Sequence, residues 1–174
     1  MLRVADANEY EDVFVFKDLV YAMERNLRIV HVYKYRNKSL IQVRDIRYPC
    51  KCNNKFFLHS IIVTKEHIIQ CCVREKLVSL LDHSAQLLRK IPIADTLEQW
   101  PILRQVDVDG NILIDDRYSQ HIIIAHVDQP SSRWCVVKFP ERVGSCGAVW
   151  FRHKLYVADN YEYGRLLTFT PTDE

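Results

Sequence analysis

One pattern recurs four times along the chain: a turn, three or four apolar residues, a polar loop and a second apolar run. The first apolar runs align on Leu19, Ile68, Ile112 and Leu155, which are 49, 44 and 43 residues apart. A repeat of this length cannot bury its apolar side chains alone, so neighbouring copies must stack on one another. The chain is therefore restricted to repeat architectures in which each copy is one small unit.

The repeat length favours one such architecture. A period of about 40 to 45 residues is typical of a four-stranded antiparallel sheet that forms one blade of a β-propeller. We therefore predict an all-β fold, a β-propeller of four antiparallel blades or four blades of a larger ring. The prediction treats 1–174 as a single domain with blades at about 13–48, 57–91, 102–139 and 147–170.

The fourth copy shows only three apolar runs, so its outer strand is missing from the pattern. A strand at residues 2–5 could fill that place and close a four-bladed ring. If the chain is instead part of a larger ring, unpaired blade edges at its two ends would favour self-association.

Apolar runs within the copies are continuous rather than alternating, as in Ile61–Val63, Ile112–Ile114 and Ile122–Ile124. Continuous runs indicate strands that are covered on both faces. The segment VREKLVSLLDHSAQLLRKI, from Val73, also fits a helical stripe. We predict two strands there, because DHSAQ occupies the position of a turn in the other copies.

Composition and cysteine spacing are those of an ordinary intracellular domain. The chain is 48% hydrophobic and 26% charged, and no apolar stretch approaches the roughly 18 residues of a membrane-spanning helix. Its first residues lack the apolar core of a secretory signal, so we expect a cytoplasmic protein without membrane contact. Cys71 and Cys72 are predicted as buried thiols, whereas Cys50 and Cys52 have no second pair at zinc-site spacing.

The third and fourth copies share a more specific motif. Asp109, Gly110 and Asn111 form an Asp-Gly turn before an apolar strand, and Asp115 and Asp159 stand at strand ends. Gln120-His121 and Gly164-Arg165 occupy the start of the next strand, while the first two copies keep the apolar frame with Glu24 and Cys72 near the aspartate position. In these features the chain resembles the NHL repeat.

That resemblance implies a function as well as a fold. NHL propellers commonly form the C-terminal recognition domain of tripartite-motif ubiquitin ligases, where they bind protein partners or single-stranded RNA. No RING-type zinc spacing occurs in this sequence, so ligase activity would reside elsewhere. The resemblance therefore implies a recognition module that is not an enzyme.

The predicted binding site lies on one propeller face, formed by the loops between second and third strands and the loops between blades. Its candidate residues are Arg25, Arg47, Tyr48, Arg74, Lys76, Trp100, Arg117, Tyr118, Tyr161 and Tyr163. Arginine with tyrosine or tryptophan suits a protein interface and also single-stranded RNA. Acidic residues on the same face favour a protein partner, because an RNA surface should be more uniformly basic. The segment Tyr33–Lys38, YKYRNK, is predicted as an exposed hairpin turn on the opposite face.

Charge is distributed unevenly, with net +6 over residues 1–90 and −4 over residues 91–174. This asymmetry could steer an anionic partner to one side, which keeps single-stranded RNA as the alternative ligand.

A metal-dependent hydrolase of the lactonase type is the second alternative. Seven histidines and the carboxylates of Asp107, Asp109, Asp115 and Asp116 are available as ligands, yet they form no recognisable metal or catalytic motif. We therefore expect no catalytic residue, no metal and no cofactor.

Overall fold

The computed structural model describes residues 10–24, 29–47, 59–93, 101–107, 110–116, 121–127, 135–139, 145–152, 154–159 and 164–170. Every regular element in these ranges is a β-strand, and the strands form four antiparallel sheets. Within the same ranges no helix has the length and apolar character needed to cross a membrane. The chain divides into two compact units, Met1–Lys90 and Ile91–Glu174.

The first unit contains two four-stranded sheets. The first sheet is ordered β1 (Tyr10–Phe16), β2 (Leu19–Glu24), β3 (Ile29–Arg36) and β4 (Ser39–Arg47). The second is ordered β5 (His59–Val63), β6 (Ile68–Cys72), β7 (Leu77–Leu81) and β8 (Leu87–Pro92). Each strand therefore pairs with its neighbour in sequence, as the repeat predicted.

The second unit contains one sheet of four strands and one of three. The third sheet consists of β9 (Pro101–Val106), β10 (Asn111–Asp116), β11 (His121–His126) and β12 (Cys135–Lys138), again in sequence order. The fourth consists of β13 (Ser145–Phe151), β14 (Lys154–Asp159) and β15 (Arg165–Phe169). The proposed closing strand at residues 2–5 lies outside the described residues.

Two strands, Leu77–Leu81 and Leu87–Pro92, rather than a helix form the segment that also fits a helical stripe, which confirms the choice made from the repeat. The turn between β7 and β8 is organised by Asp82, whose Oδ1 accepts hydrogen bonds from the Ser84 amide at 2.9 Å and the Gln86 amide at 2.8 Å. The Ser84 hydroxyl also donates to Asp82 Oδ1 at 2.7 Å. These bonds hold the pKa of Asp82 below its usual value, with the Ser84 bond as the largest cause. A side chain that caps local amides favours a turn over a continuous helix.

The core of the first unit lies between its two sheets. Tyr21 and Met23 of β2 and Val32 of β3 are almost fully buried and pack in one cluster with Ile61 and Ile68 of the second sheet. These side chains alternate along their strands because every second residue faces the same side of a sheet. Burial of each of these side chains stabilises the fold by about 1.5–3 kcal/mol, so this apolar cluster holds the two sheets together.

The second unit has an equivalent core. Leu113 and Ile122 of the third sheet cluster with Leu155 and Val157 of the fourth. Gln105 of β9 strengthens this contact through two hydrogen bonds. Its side-chain oxygen accepts one from the Trp150 backbone N–H at 2.6 Å, and its side-chain nitrogen donates one to the Trp150 backbone carbonyl at 3.0 Å.

Burial on both faces is confirmed for the continuous runs, since all five residues of β6 are buried and Ile112 to Ile114 are as well. It does not extend to every apolar residue of the first and fourth sheets. There, Val15, Phe151 and Leu166 are 62%, 54% and 68% exposed. The repeat pattern alone did not reveal these exposed apolar residues.

Two predicted turns have the expected backbone. Asn37 and Lys38, between β3 and β4, have φ of 52° and 63°, the conformation of a tight hairpin turn, and both are exposed. Gly110 before β10 has φ of 84°, which a residue with a side chain rarely adopts. The exposed hairpin at Tyr33–Lys38 is thereby confirmed in its turn, although Tyr33 itself is buried in β3.

Candidate binding face

Three of the ten predicted binding residues lie in the described part of the chain. Arg47 is the last residue of β4, and Arg74 and Lys76 lie in the turn between β6 and β7. The other seven lie outside the described residues: Arg25, Tyr48, Trp100, Arg117, Tyr118, Tyr161 and Tyr163.

The three described residues lie at the same end of the first unit. Asp12, the third residue of β1, accepts a hydrogen bond on Oδ2 from the amide of Ile61, the middle residue of β5, at 2.9 Å, so the two sheets are in contact. Because the copies of a repeat stack in the same orientation, the first strands of the two sheets begin at the same end. Because successive strands reverse direction, the end of β2, the end of β4 and the turn after β6 also lie there. We call this end, formed by Glu24, Arg47, Arg74, Glu75 and Lys76, the arginine face.

The turn that carries Arg74 is held firmly. It follows the fully buried strand β6, and the Lys76 amide donates to the Val73 carbonyl at 3.3 Å. Lys76 has φ of 46°, so the turn reverses the chain within a few residues. Arg74 is exposed while Glu75 and Lys76 are half-buried. Both signs of charge are thus presented on a fixed frame.

A histidine bound by two carboxylates lies beside the arginine face, in the first sheet. His31 Nε2 is 2.6 Å from Glu24 Oε2, and His31 Nδ1 is 2.8 Å from Asp45 Oδ1. The Gln42 side-chain amide donates to the same Asp45 oxygen at 2.7 Å. His31 is only 8% exposed. We call these four residues the His31 cluster.

Two tyrosines complete the surroundings of this histidine. The hydroxyls of Tyr10 and Tyr33 are 2.9 Å apart, and the Tyr10 ring meets the His31 ring edge-on with centroids 6.2 Å apart. All four strands of the first sheet therefore contribute to the site. Since both ring nitrogens of His31 are engaged, the ring is held in place rather than presented to a ligand.

The electrostatics of the cluster follow from this geometry. Burial by itself lowers the pKa of His31, but the hydrogen bonds to Glu24 and Asp45 and the charges of these carboxylates outweigh it, and the pKa is raised. Two ionised carboxylates can only accept hydrogen bonds, so the arrangement favours the imidazolium form, in which both nitrogens donate.

Buried aspartates in the second unit are paired in a similar way. Asp115 of β10 is 1% exposed, and its Oδ2 accepts hydrogen bonds from Arg104 Nε at 3.1 Å and from an Arg104 terminal nitrogen at 3.0 Å. Asp159 at the end of β14 is also 1% exposed and accepts from Arg165 at 2.9 Å. These are the two strand-end aspartates of the sequence motif.

A common rule connects three of the four sheets. The acidic residue at the end of the second strand, Glu24, Asp115 or Asp159, is paired with a cation from a neighbouring strand. Sequence reasoning identified the acids but missed the cations His31 and Arg104. Their one signal in the sequence is a polar residue within an otherwise apolar strand pattern.

These ion pairs engage carboxylates of the kind that would act as metal ligands. Among the described residues, no group of three or more His, Cys, Asp or Glu side chains is placed to hold a metal ion. What the described site offers chemically is exposed arginine and mixed charge on fixed turns.

No protein-family model and no curated protein matches the sequence. Solved structures match it by fold. A candidate 6-phosphogluconolactonase from Bacteroides uniformis has a TM-score of 0.66 at 14% identity, over 99% of this chain and 56% of its own. A streptogramin B lyase has a TM-score of 0.60 at 14% identity, over 98% and 57%. The computationally designed Ika4 protein has a TM-score of 0.64 at 7% identity, over 98% and 95%.

Similarity at these identities shows the fold alone. An all-β chain with four antiparallel sheets of three or four strands, similar to propeller proteins, belongs to the β-propeller fold class, as predicted. The chain spans little more than half the length of the lactonase-type and lyase chains. The finer resemblance to the NHL repeat stays a prediction.

Proposed function

We propose that this propeller is a non-catalytic recognition module that binds a protein partner through the loops of one face, in the manner of NHL domains. The arginine face is its described part. The observation that carries the proposal is the exposure of Arg47 and Arg74 at the strand ends and turns of this face. Exposed arginine on a rigid turn is a frequent anchor of protein interfaces.

A protein partner is favoured over RNA by the other charges of this face. Glu75 lies between Arg74 and Lys76 in the same turn, and Glu24 and Asp45 lie close by around His31. Carboxylates repel phosphates, and phosphate neutralisation supplies most of the affinity for a nucleic acid chain. A mixed surface suits a partner that carries both signs of charge.

Hydrolysis of a lactone or ester is the competing class, since a lactonase-type protein is among the structural neighbours. Asp115, an expected ligand in that alternative, is buried and accepts two hydrogen bonds from Arg104. Burial and the pairing of this carboxylate with Arg104 favour a structural role for Asp115, which supports the non-catalytic proposal.

Charge reversal on the arginine face tests the proposal. The variant Arg47→Glu/Arg74→Glu changes two exposed residues of this face, and Arg36→Glu/Lys38→Glu makes the same change at the exposed hairpin on the opposite end of the first sheet. Each tagged protein is used for affinity capture from a cell extract, with and without ribonuclease. Binding to single-stranded RNA oligonucleotides is measured by fluorescence anisotropy over a salt series.

We expect a discrete protein to be captured by the wild type and by the hairpin variant, with or without ribonuclease, and lost with the arginine-face variant. Tight RNA binding with a steep salt dependence, abolished by the same variant, would instead support the RNA alternative. Metal-dependent turnover of lactone substrates would contradict the non-catalytic assignment.

A further inference from the structure

The last strand of the first sheet, β4, has one edge that no other strand covers among the described residues. The sheet is ordered β1, β2, β3 and β4, so β4 pairs with β3 on one side only. With nine residues β4 is the longest strand in the described part of the chain, and it contains no proline. Such an edge offers backbone N–H and C=O groups to an added strand. We call its segment Ser39–Arg44, on the side away from β3, the β4 edge.

The backbone groups that point outward from this edge follow from the pairing of β3. The Tyr35 N–H donates to the Asp18 carbonyl at 3.1 Å, on the side of β3 away from β4. Tyr35 and its partner Leu40 are therefore an unbonded pair of the ladder, in which the N–H and C=O of Leu40 point away from β3. Those of Gln42, two residues later, point the same way, and the register shift of β4 lies beyond Gln42. Both residues can bond a further strand.

The side chains of the β4 edge include two exposed aliphatic groups. Ile41 is 52% exposed and Val43 is 50% exposed. In a sheet, side chains on neighbouring strands pack beside one another on the same face. Apolar side chains of an added strand would therefore be shielded from water next to Ile41 and Val43, which favours a peptide as the ligand.

The charges around the β4 edge are positive. Arg36, Lys38 and Arg44 are all exposed, on β4 and on the hairpin that leads into it. Lys34 is already paired with Asp18 at 2.9 Å and does not add to this charge. Arginine can bind a carboxylate through two parallel hydrogen bonds, so the edge is suited to acidic side chains.

The carboxylate of β4 does not cancel this preference. Asp45, the only acidic residue of the strand, is engaged by His31 and by the Gln42 side chain. Asp45 pairs with His31 whereas Arg44 pairs with Val32, so the carboxylate and the guanidinium lie on opposite faces of the sheet. A second copy of the same edge would bring like charges together, which opposes self-association and favours an acidic partner.

We propose that the β4 edge binds an acidic peptide in an extended conformation, which adds a fifth strand to the first sheet. Backbone hydrogen bonds to Leu40 and Gln42 supply affinity, and Arg36 and Arg44 select carboxylates. A nucleic acid strand would meet the same cations but could use neither the outward backbone groups nor Ile41. The β4 edge is separate from the loops of the arginine face and does not depend on the proposed function.

A model ligand tests the selection by charge. Binding of a fluorescein-labelled peptide of alternating glutamate and valine is measured by fluorescence anisotropy, with a peptide of alternating lysine and valine as the ligand control. The variant Arg36→Glu/Arg44→Glu reverses two charges of the edge. Its matched control, Lys65→Glu/Arg74→Glu, makes the same change at exposed turns of the second sheet. Circular dichroism and urea unfolding establish that each variant is folded.

Two further peptides separate strand addition from simple charge attraction. Both have the glutamate–valine sequence, and one is N-methylated on its glutamates and the other on its valines. Successive N–H groups of a strand point to opposite sides, so only one of the two peptides loses its hydrogen bonds to Leu40 and Gln42. The net charge of the two peptides is the same.

We expect the wild type and the Lys65→Glu/Arg74→Glu control to bind the glutamate–valine peptide equally. Binding by Arg36→Glu/Arg44→Glu should be weaker by about tenfold or more. The hairpin variant Arg36→Glu/Lys38→Glu should also lose the peptide, although it keeps the partner of the arginine face. One N-methylated peptide should bind like the parent, and the other should not bind.

Three results would overturn the proposal. The first is a wild type that does not bind the glutamate–valine peptide, and the second is equal affinity for the two N-methylated peptides. The third is another occupant of the edge. Either tighter binding of a labelled single-stranded RNA or self-association of the wild type in sedimentation velocity, lost in Arg36→Glu/Arg44→Glu, would show that occupant.

Discussion

Breaking the ion pair between Arg104 and Asp115 should be one of the most destabilising single changes in the second unit. The Asp115 side chain is 1% exposed and that of Arg104 is 21% exposed, with 3.0 Å between the charged atoms. At an effective dielectric constant of about 20, two unit charges about 3 Å apart attract by about 5 kcal/mol. The substitution Arg104→Met removes this attraction and leaves a carboxylate buried with its desolvation cost.

Removing one partner of a buried pair typically costs about 3–5 kcal/mol. We expect a value near 3 kcal/mol for Arg104→Met, because Arg104 is partly exposed and water can reach the site after the substitution. With a urea dependence of about 1–3 kcal/mol per molar, the unfolding midpoint falls by about 1–3 M. The double variant Arg104→Met/Asp115→Leu should recover much of the loss, since both charges are then absent.

The assay can report on this unit selectively, because all three tryptophans, Trp100, Trp134 and Trp150, belong to Ile91–Glu174. Urea unfolding followed by tryptophan fluorescence therefore measures the second unit, while circular dichroism measures both. The control, followed by circular dichroism, is Lys34→Met in the first unit, which breaks a pair with Asp18 of similar length, 2.9 Å, whose side chains are 50% and 57% exposed. We expect a far smaller change there. Equal losses for the buried and the exposed pair would refute the argument from burial.

Three further predictions follow from single sites. Because the pKa of His31 is raised above 6.5, its contribution to the unfolding free energy is complete below pH 6.5 and is lost as pH rises through the folded-state pKa. Urea unfolding of the wild type should show this loss of stability, whereas His31→Gln should not. Burial raises the pKa of the Cys71 thiol to about 12, so iodoacetamide should label exposed Cys135 in the folded protein and Cys71 only in denaturant, as read by peptide mass spectrometry. Gly110→Ala should cost about 1–3 kcal/mol of unfolding free energy, because φ is 84° and a Cβ would lie 3.1 Å from a neighbouring side chain. The control Gly147→Ala, whose added Cβ would have no atom within 4 Å, should change the urea midpoint little.

Much of the fold could be read from local patterns. The strand at Leu77–Leu81, for example, is one of the two strands predicted on either side of DHSAQ, and the turn at Asp82 was expected from its position in the repeat. Buried thiols were expected at Cys71 and Cys72, and both are buried. These features depend on residues close together in sequence, where apolar runs and turn residues act directly on the backbone.

The site was less accessible to such reasoning. His31 was not selected as a site residue, although it is bound by Glu24 and Asp45 from two neighbouring strands. Its partners are set by the register of β3 against β4, which shifts by one residue between Val32 and Tyr33. A shift of one residue moves every later side chain to the other face of a strand, and no periodicity in the sequence marks where it occurs.

By itself, the sequence determined the number of sheets, their strand order and the turns that separate them, because a repeated run of apolar residues must form the same unit each time. Only the tertiary structure decided that Arg104 neutralises Asp115, and that Val15 and Leu166 face water while Ile69 and Ile112 do not. Local propensity acts within one strand. Charge pairing and exposure depend on which strands lie next to one another and in what register, and these are settled when the sheets pack.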